Sequence, residues 1–104
     1  MAAHVRKLDD DHTTWTQTLD DVEADLTTVS GVTLYVEAPD GTTAVSGASV
    51  TVVDADTVSY TFSASDLSQT GGHNAEFHIA YSDSTTEISP KDGYYGVRVV
   101  QNLN

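Results

Sequence analysis

The stretch ISPKDGYYGVRVV, Ile88 to Val100, decides how the chain is read. Its first half is turn chemistry. Pro90 presets the φ of a bend, Asp92 tolerates one, and Gly93 is free to take a positive φ. Its second half alternates, with Tyr95, Val97 and Val99 on one face and Tyr94 and Arg98 on the other. That is the period-two signature of a half-buried strand. The stretch therefore reads as a closing turn and last strand rather than as a reactive loop.

The same grammar extends upstream. HNAEFHIAYSD (73–83) puts Ala75, Phe77, Ile79 and Tyr81 on one face and Glu76 and His78 on the other, and STTEIS follows as its partner after a turn near Asp83-Ser84. TVSYTFSA aligns Val58, Tyr60 and Phe62, and Asp54-Ala55-Asp56 joins it to GASVTVVD, in which Ala48, Val50 and Val52 alternate. VTLYVEAP points Val32, Leu34, Val36 and Ala38 one way and Thr33, Tyr35 and Glu37 the other, before a Pro39-Asp40-Gly41 turn. TTWTQTLDD (13–21) places Trp15, Gln17 and Leu19 on one side. The segment 22–31 is a connection, or one helical turn, with Leu26 tucked inward. One short helix is expected within SASDLSQTGG (63–72), where Ser63 and Asp66 form a capping pair, Leu67 plugs the core and Gly71-Gly72 ends the turn. About seven strands with almost no helix predict an all-β, immunoglobulin-like antiparallel sandwich over residues 13–104. Residues 1–12 form an N-terminal arm or first strand. The core anchors are Trp15, Leu34, Phe62, Phe77 and Tyr95.

Composition narrows the function classes. A chain of 104 residues, 38% of them apolar, suits one domain. With no cysteine, disulfides, thiolate metal sites and thiol nucleophiles are excluded. Sixteen acids against 4 Lys plus Arg give a net charge of −12. Such a surface does not suit nucleic acid or an anionic membrane, which need clustered Lys and Arg. No apolar run approaches the roughly 20 residues of a membrane span. The N-terminal MAAHVRKLDDDH lacks the apolar core of a secretory signal, so an extracellular role would require another route, such as assembly inside a cell followed by lysis. Abundant Asp with almost no Lys matches a halophilic surface, which repels itself in low salt and is screened in high salt. The plainer reading is an ordinary acidic phage or bacterial protein.

No constellation of reactive groups stands out. Asp9-Asp10-Asp11-His12, with His4 nearby, has metal-ligand residue types. Consecutive acids in an extended chain alternate sides, however, and a solvated loop is the preferred reading. Asp54-x-Asp56 begins like a calcium loop but lacks the later ligands, so it reads as a hairpin turn. His73 and His78 differ in parity and face opposite sides of their strand. There is no G-x-S-x-G elbow and no glycine-rich phosphate loop. No catalytic residue, metal ligand or cofactor is expected, and the chain reads as a non-enzyme.

From Asp40 onward the order of features resembles a family of small phage proteins that also occurs as the N-terminal domain of BppU-type baseplate upper proteins. The matching elements are the Asp-Gly turn, Val45 to Val50 (VSGASV), the aromatic strand Val58 to Phe62, the acidic-Leu turn Asp66 to Gly72, Ala75 to Asp83, and Pro90 to Val99. WTQTL aligns with the family's first core strand. The chain departs at Ser84, where the family has glycine, and in the segment 22–31. The resemblance implies an immunoglobulin-like fold and a non-enzymatic structural role in a tailed-virus particle, at the tail tip, baseplate or head. With the acidity, it points to a virus of a halophilic archaeon. The expected partners are other virion proteins and copies of the chain itself, and the expected location is the virion, assembled in the host cytoplasm. Candidate interface residues are Tyr35, His78 and Tyr94, which parity places off the core, and Val5, Arg6 and Leu8 of the arm, which is the segment expected to order on binding. The alternative is a carbohydrate- or receptor-binding module on the virion surface.

Overall fold

Alternation in the sequence becomes alternation in burial. In the computed structural model, which describes residues 3–103, nine strand segments form two sheets packed face to face. They are β1 (His4–Lys7), β2 (Thr14–Thr18), β3 (Gly31–Glu37), β4 (Thr43–Ser49), β5 (Thr51–Val52), β6 (Thr57–Thr61), β7 (Gly71–Ala80), β8 (Thr86–Ser89) and β9 (Tyr95–Val100). The larger sheet runs β1-β9-β7-β3-β4, with β8 also on β7, and the smaller runs β2-β6-β5. This is the immunoglobulin arrangement, with the smaller sheet as B-E-D and the larger as G-F-C-C′. The first strand joins the last in parallel.

The core lies where the inner faces meet. Trp15, Leu34, Phe62, Phe77 and Tyr95 are all buried. Four of them form an aromatic chain that crosses between the sheets at Trp15–Phe77: Trp15 stacks on Phe62 at 5.8 Å and meets Phe77 at 5.4 Å, and Phe77 meets Tyr95 at 5.7 Å. Contacts of this kind are worth about 0.5–1.5 kcal/mol each beyond area burial. Leu26 and Leu67 enter the same core from connecting segments.

Three expectations change, and two open alternatives are resolved. GASVTVVD is not one strand: the chain leaves the larger sheet after Ser49 and enters the smaller at Thr51, so Val50 marks a change of sheet. The segment 63–72 is a hydrogen-bonded turn, not a helix. One half of the capping pair forms, with the Ser63 N–H on the Asp66 carboxylate at 2.8 Å, and the Asp66 N–H closes the turn on the Ser63 carbonyl at 3.1 Å. Gly71 and Gly72, however, open β7 instead of ending a helix, which leaves too few residues to propagate one. The helical turn is at Leu26–Thr28, capped by Asp25. Of the alternatives left open, residues 4–7 form a strand, which pairs with Val97–Val100. Arg6, expected at an interface, is instead 5% exposed. Its guanidinium lies 4.8 Å from the Phe62 ring centroid and donates to the Asp10 and Thr13 carbonyls, so it closes the sandwich internally.

Aspartates fix the turns. Asp25, Asp40 and Asp83 each accept from the N–H and the hydroxyl of the threonine two residues on. Asp10 does the same for Thr13, and Asp54 accepts from the Asp56 N–H. In the turns at Asp40 and Asp83 the middle residue is left-handed, Gly41 at φ 85° and Ser84 at φ 73°. Glycine adopts that conformation without the cost to Cβ, roughly 1 kcal/mol. Ser84→Gly is therefore expected to raise stability by about 0.5–1 kcal/mol, seen as a thermal midpoint a few degrees higher. An unchanged or lower midpoint would contradict the turn geometry.

Candidate functional site

β7 has β3 along one edge and two partners along the other. Gly71–Ala75 pair with β9, and Phe77–Ala80 pair with β8. β8 and β9 are thus one strand broken by an excursion from Pro90 to Tyr94. Ser89 sits opposite Phe77 and Tyr95 opposite Ala75, so the whole excursion faces Glu76. The ISPKDGYYGVRVV segment does not turn before the last strand; it bulges out of the middle of it.

Asp21, from the connection after β2, pins the bulge. Its carboxylate accepts from the Ser89 hydroxyl and, at 2.6 Å, from the Lys91 N–H. Ser89 is fully buried and shares a 2.7 Å hydroxyl–hydroxyl bond with Tyr95, so the pin reaches the core. The Lys91 ammonium donates to the Asp21 and Ile88 carbonyls and pairs with Glu87 at 2.6 Å. Glu87 also accepts from the Glu23 N–H and the Tyr81 hydroxyl. Desolvation pushes the Asp21 carboxyl up, but the bonds from Ser89 and the Lys91 N–H, with the Lys91 charge, outweigh it and hold it below its ordinary value. The same balance, with Lys91 and Tyr81 as donors, lowers Glu87. The carboxylate of Glu87 in turn raises the Tyr81 hydroxyl to about 12.

The pin decides what the outer face of the larger sheet presents. Tyr94, at the end of the bulge, is 59% exposed, and Ile88, just before it, is 41% exposed. His78 is the register partner of both Ile88 and Thr33. Its ring packs on Tyr35 at 4.1 Å and its Nε2–H donates to Glu76 at 2.9 Å. Tyr35 also covers Gly47, where φ is +79° and an added Cβ would lie 3.1 Å from the Tyr35 hydroxyl. Tyr94 and Tyr35 border one shallow depression of about 200 Å³, with Glu76 between them on β7. On the other side of Tyr94 an open groove of about 860 Å³ runs along β8, lined by Tyr81, Glu87, Lys91 and Ile88.

Of the candidate interface residues, Tyr35, His78 and Tyr94 therefore converge on one face. Val5 and Leu8 lie elsewhere, on and just after β1; Val5 is exposed, whereas Leu8 packs partly against the core. The outer face of the smaller sheet is different in kind. It is a plane of threonine and serine, in which Thr14 meets Thr61 at 2.8 Å across the strands. Ile88 and the Asp21 pin were not singled out from the sequence. The parity of His78 reaches Glu76, but the pin joins residues 68 positions apart, and no local pattern encodes it. His73 is buried on the opposite face of β7 from His78, as parity implied. Among the described residues no group of three or more acids or histidines is arranged to hold a metal ion, and no helix is long and apolar enough to cross a membrane. No family model, curated protein or solved structure matches the chain.

Removing the pin is expected to cost about 1.5–3 kcal/mol, the range for charge-assisted hydrogen bonds. Asp21→Ala should lower the urea midpoint most, and Asp21→Asn less, because it keeps an acceptor. The pH dependence follows from the lowered carboxyl values of Asp21, Glu87 and the turn aspartates, whose main cause at Asp25, Asp40 and Asp83 is the threonine hydroxyl. Groups lower in the folded than the unfolded chain stabilise it fully above about pH 5, and this is lost as pH falls through their folded values. In molar salt, which screens general repulsion, the urea midpoint should drop from pH 5 to pH 3, and less steeply in Asp21→Asn. A flat wild-type profile would contradict these assignments.

Proposed function

We propose that the chain is a non-enzymatic assembly module that makes protein–protein contacts through the outer face of its larger sheet. The observation that carries this is the cluster of Tyr94, Ile88, Tyr35 and His78 on one face, with Ile88 turned outward by its register opposite His78 and Tyr94 carried at the end of a bulge the fold holds in place. An exposed aromatic group held beside half-buried ones on a sheet suits a contact surface, since little side-chain entropy is lost on docking. The order of motifs from Asp40 to Val99 supports a more specific reading: a structural protein of a tailed-virus particle, at the tail tip, baseplate or head, contacting other virion proteins and copies of itself. The net charge of −12 supports a host that lives in concentrated salt.

A second reading is favoured by the groove beside Tyr94. Its Tyr81 and Tyr94 rings and its polar rim would suit a sugar, making the module a carbohydrate or receptor binder on the virion surface. A glycan array with no signal would remove that reading.

Tyr94→Ala is the discriminating variant. Its backbone position is set by Asp21 and Ser89, so circular dichroism and thermal midpoint should stay close to wild type. Incorporation into particles, followed by labelling of purified virions, is expected to fall by roughly tenfold, the effect of losing an aromatic anchor worth about 1.4 kcal/mol. Full incorporation of Tyr94→Ala together with an Ile88→Ser variant would sink the outer face as the contact surface.

A further inference from the structure

We infer that β1 is an exchangeable strand, which can leave its own sandwich and occupy the same position in a second copy of the chain. The acceptor site is visible because β1 fills it. It consists of the β9 edge from Val97 to Val100, the face of the Phe62 ring, and the carbonyls of Asp10 and Thr13 that receive Arg6. Any other copy of this chain carries the same strand, with the same Arg6 and the same register. It is therefore the one partner whose fit is already demonstrated.

Three features make β1 separable. First, its one strand neighbour among the described residues is β9, over four residues of parallel pairing at the edge of the sheet, and beyond that it is held only by side chains, among them the His4 ring on Trp15 and Arg6 on Phe62. Second, its anchor is polar. The inward-facing side chains of the strand are His4, stacked on Trp15, and the buried Arg6 guanidinium, whereas its apolar Val5 is exposed, so no large aliphatic residue seals it in. Third, the hinge is strained. Asp9 has φ 66°, a left-handed conformation for a residue with a Cβ, inside a turn closed by the Asp10 N–H on the Lys7 carbonyl. Asp9 and Asp11 flank Asp10, whose carboxylate bonds Thr13 on the body side of the hinge, so that anchor stays with the body when β1 leaves. Short hinges under strain are the circumstance in which identical elements exchange between protomers. When β1 leaves, β9 is left with an unpaired edge, which only another strand satisfies. This concerns the edge of the sheet rather than its outer face, and it holds whether or not Tyr94 meets a partner.

The absence of cysteine gives a clean test. Val5 and Arg98 are register partners and both are exposed. Val5→Cys and Arg98→Cys are made as separate single variants and as a double variant. The double variant is oxidised at low concentration to confirm that the pair closes within one chain. The single variants are then mixed at high concentration in molar salt, equilibrated in mild urea, returned to native conditions and oxidised. The expected result is a Val5→Cys/Arg98→Cys cross-linked heterodimer, identified by peptide mass and absent when either variant is oxidised alone. Asp9→Gly introduced into both variants, which relieves the hinge, should reduce its yield severalfold. A double variant that closes internally while the mixture gives no heterodimer would overturn the exchange. A double variant that fails to close would overturn the β1–β9 register on which it rests.

Discussion

The carboxylate of Asp21 is the constraint on which the presented surface depends. A strand that leaves a sheet for five residues and rejoins it on the same edge needs something to hold the interruption, because its backbone groups lose their ladder partners there. Asp21 supplies an acceptor for the Lys91 N–H and, through Ser89, reaches the buried hydroxyl of Tyr95. One side chain thereby couples the loop after β2 in the smaller sheet to the broken last strand of the larger. Without it, Tyr94 would sit on a free loop, and an aromatic group on a free loop is a poor anchor because ordering it on contact costs entropy.

Much of the architecture is legible in the sequence because a sandwich is written in period two. Val32, Leu34 and Val36, or Tyr95, Val97 and Val99, can be assigned to the core from spacing alone, and all are buried. What could not be read is long-range or depends on which sheet a strand joins. Ala48 and Val52 alternate as if in one strand, yet Val50 divides two sheets, and nothing local distinguishes a bend from a straight run. Arg6 looks like an exposed cation beside Lys7. Its burial requires Phe62 and Thr13, brought together only by the fold. The outer-face residues Tyr35, His78 and Tyr94 were recoverable by parity, but their meeting on one face was not, since it needs β3, β7 and the bulge to be neighbours.

The acidity also has a more specific structural meaning than composition suggests. Asp10, Asp25, Asp40, Asp54 and Asp83 are hydrogen-bond acceptors that close turns, and Asp21 and Glu87 hold the bulge. These carboxylates act through short-range bonds that salt screens weakly, whereas the summed charge of the surface is a diffuse negative field that salt screens strongly. The Asp-x-Thr pairs at 25–27, 40–42 and 83–85 are visible in the sequence, and each marks a turn. A surface biased toward aspartate rather than glutamate is what such turns require, because only the shorter side chain reaches the N–H two residues on.

β8 and β9 are one strand, interrupted by a bulge that Asp21 locks into the body of the fold. Native-state hydrogen exchange measures this most directly at the Lys91 amide. It lies in an exposed, non-strand segment, yet it is bonded to Asp21 and should exchange slowly, at a rate close to those of Tyr95 and Val97 in the adjacent strand. Exchange at the rate of a free loop amide, with Tyr95 and Val97 still protected, would contradict the account.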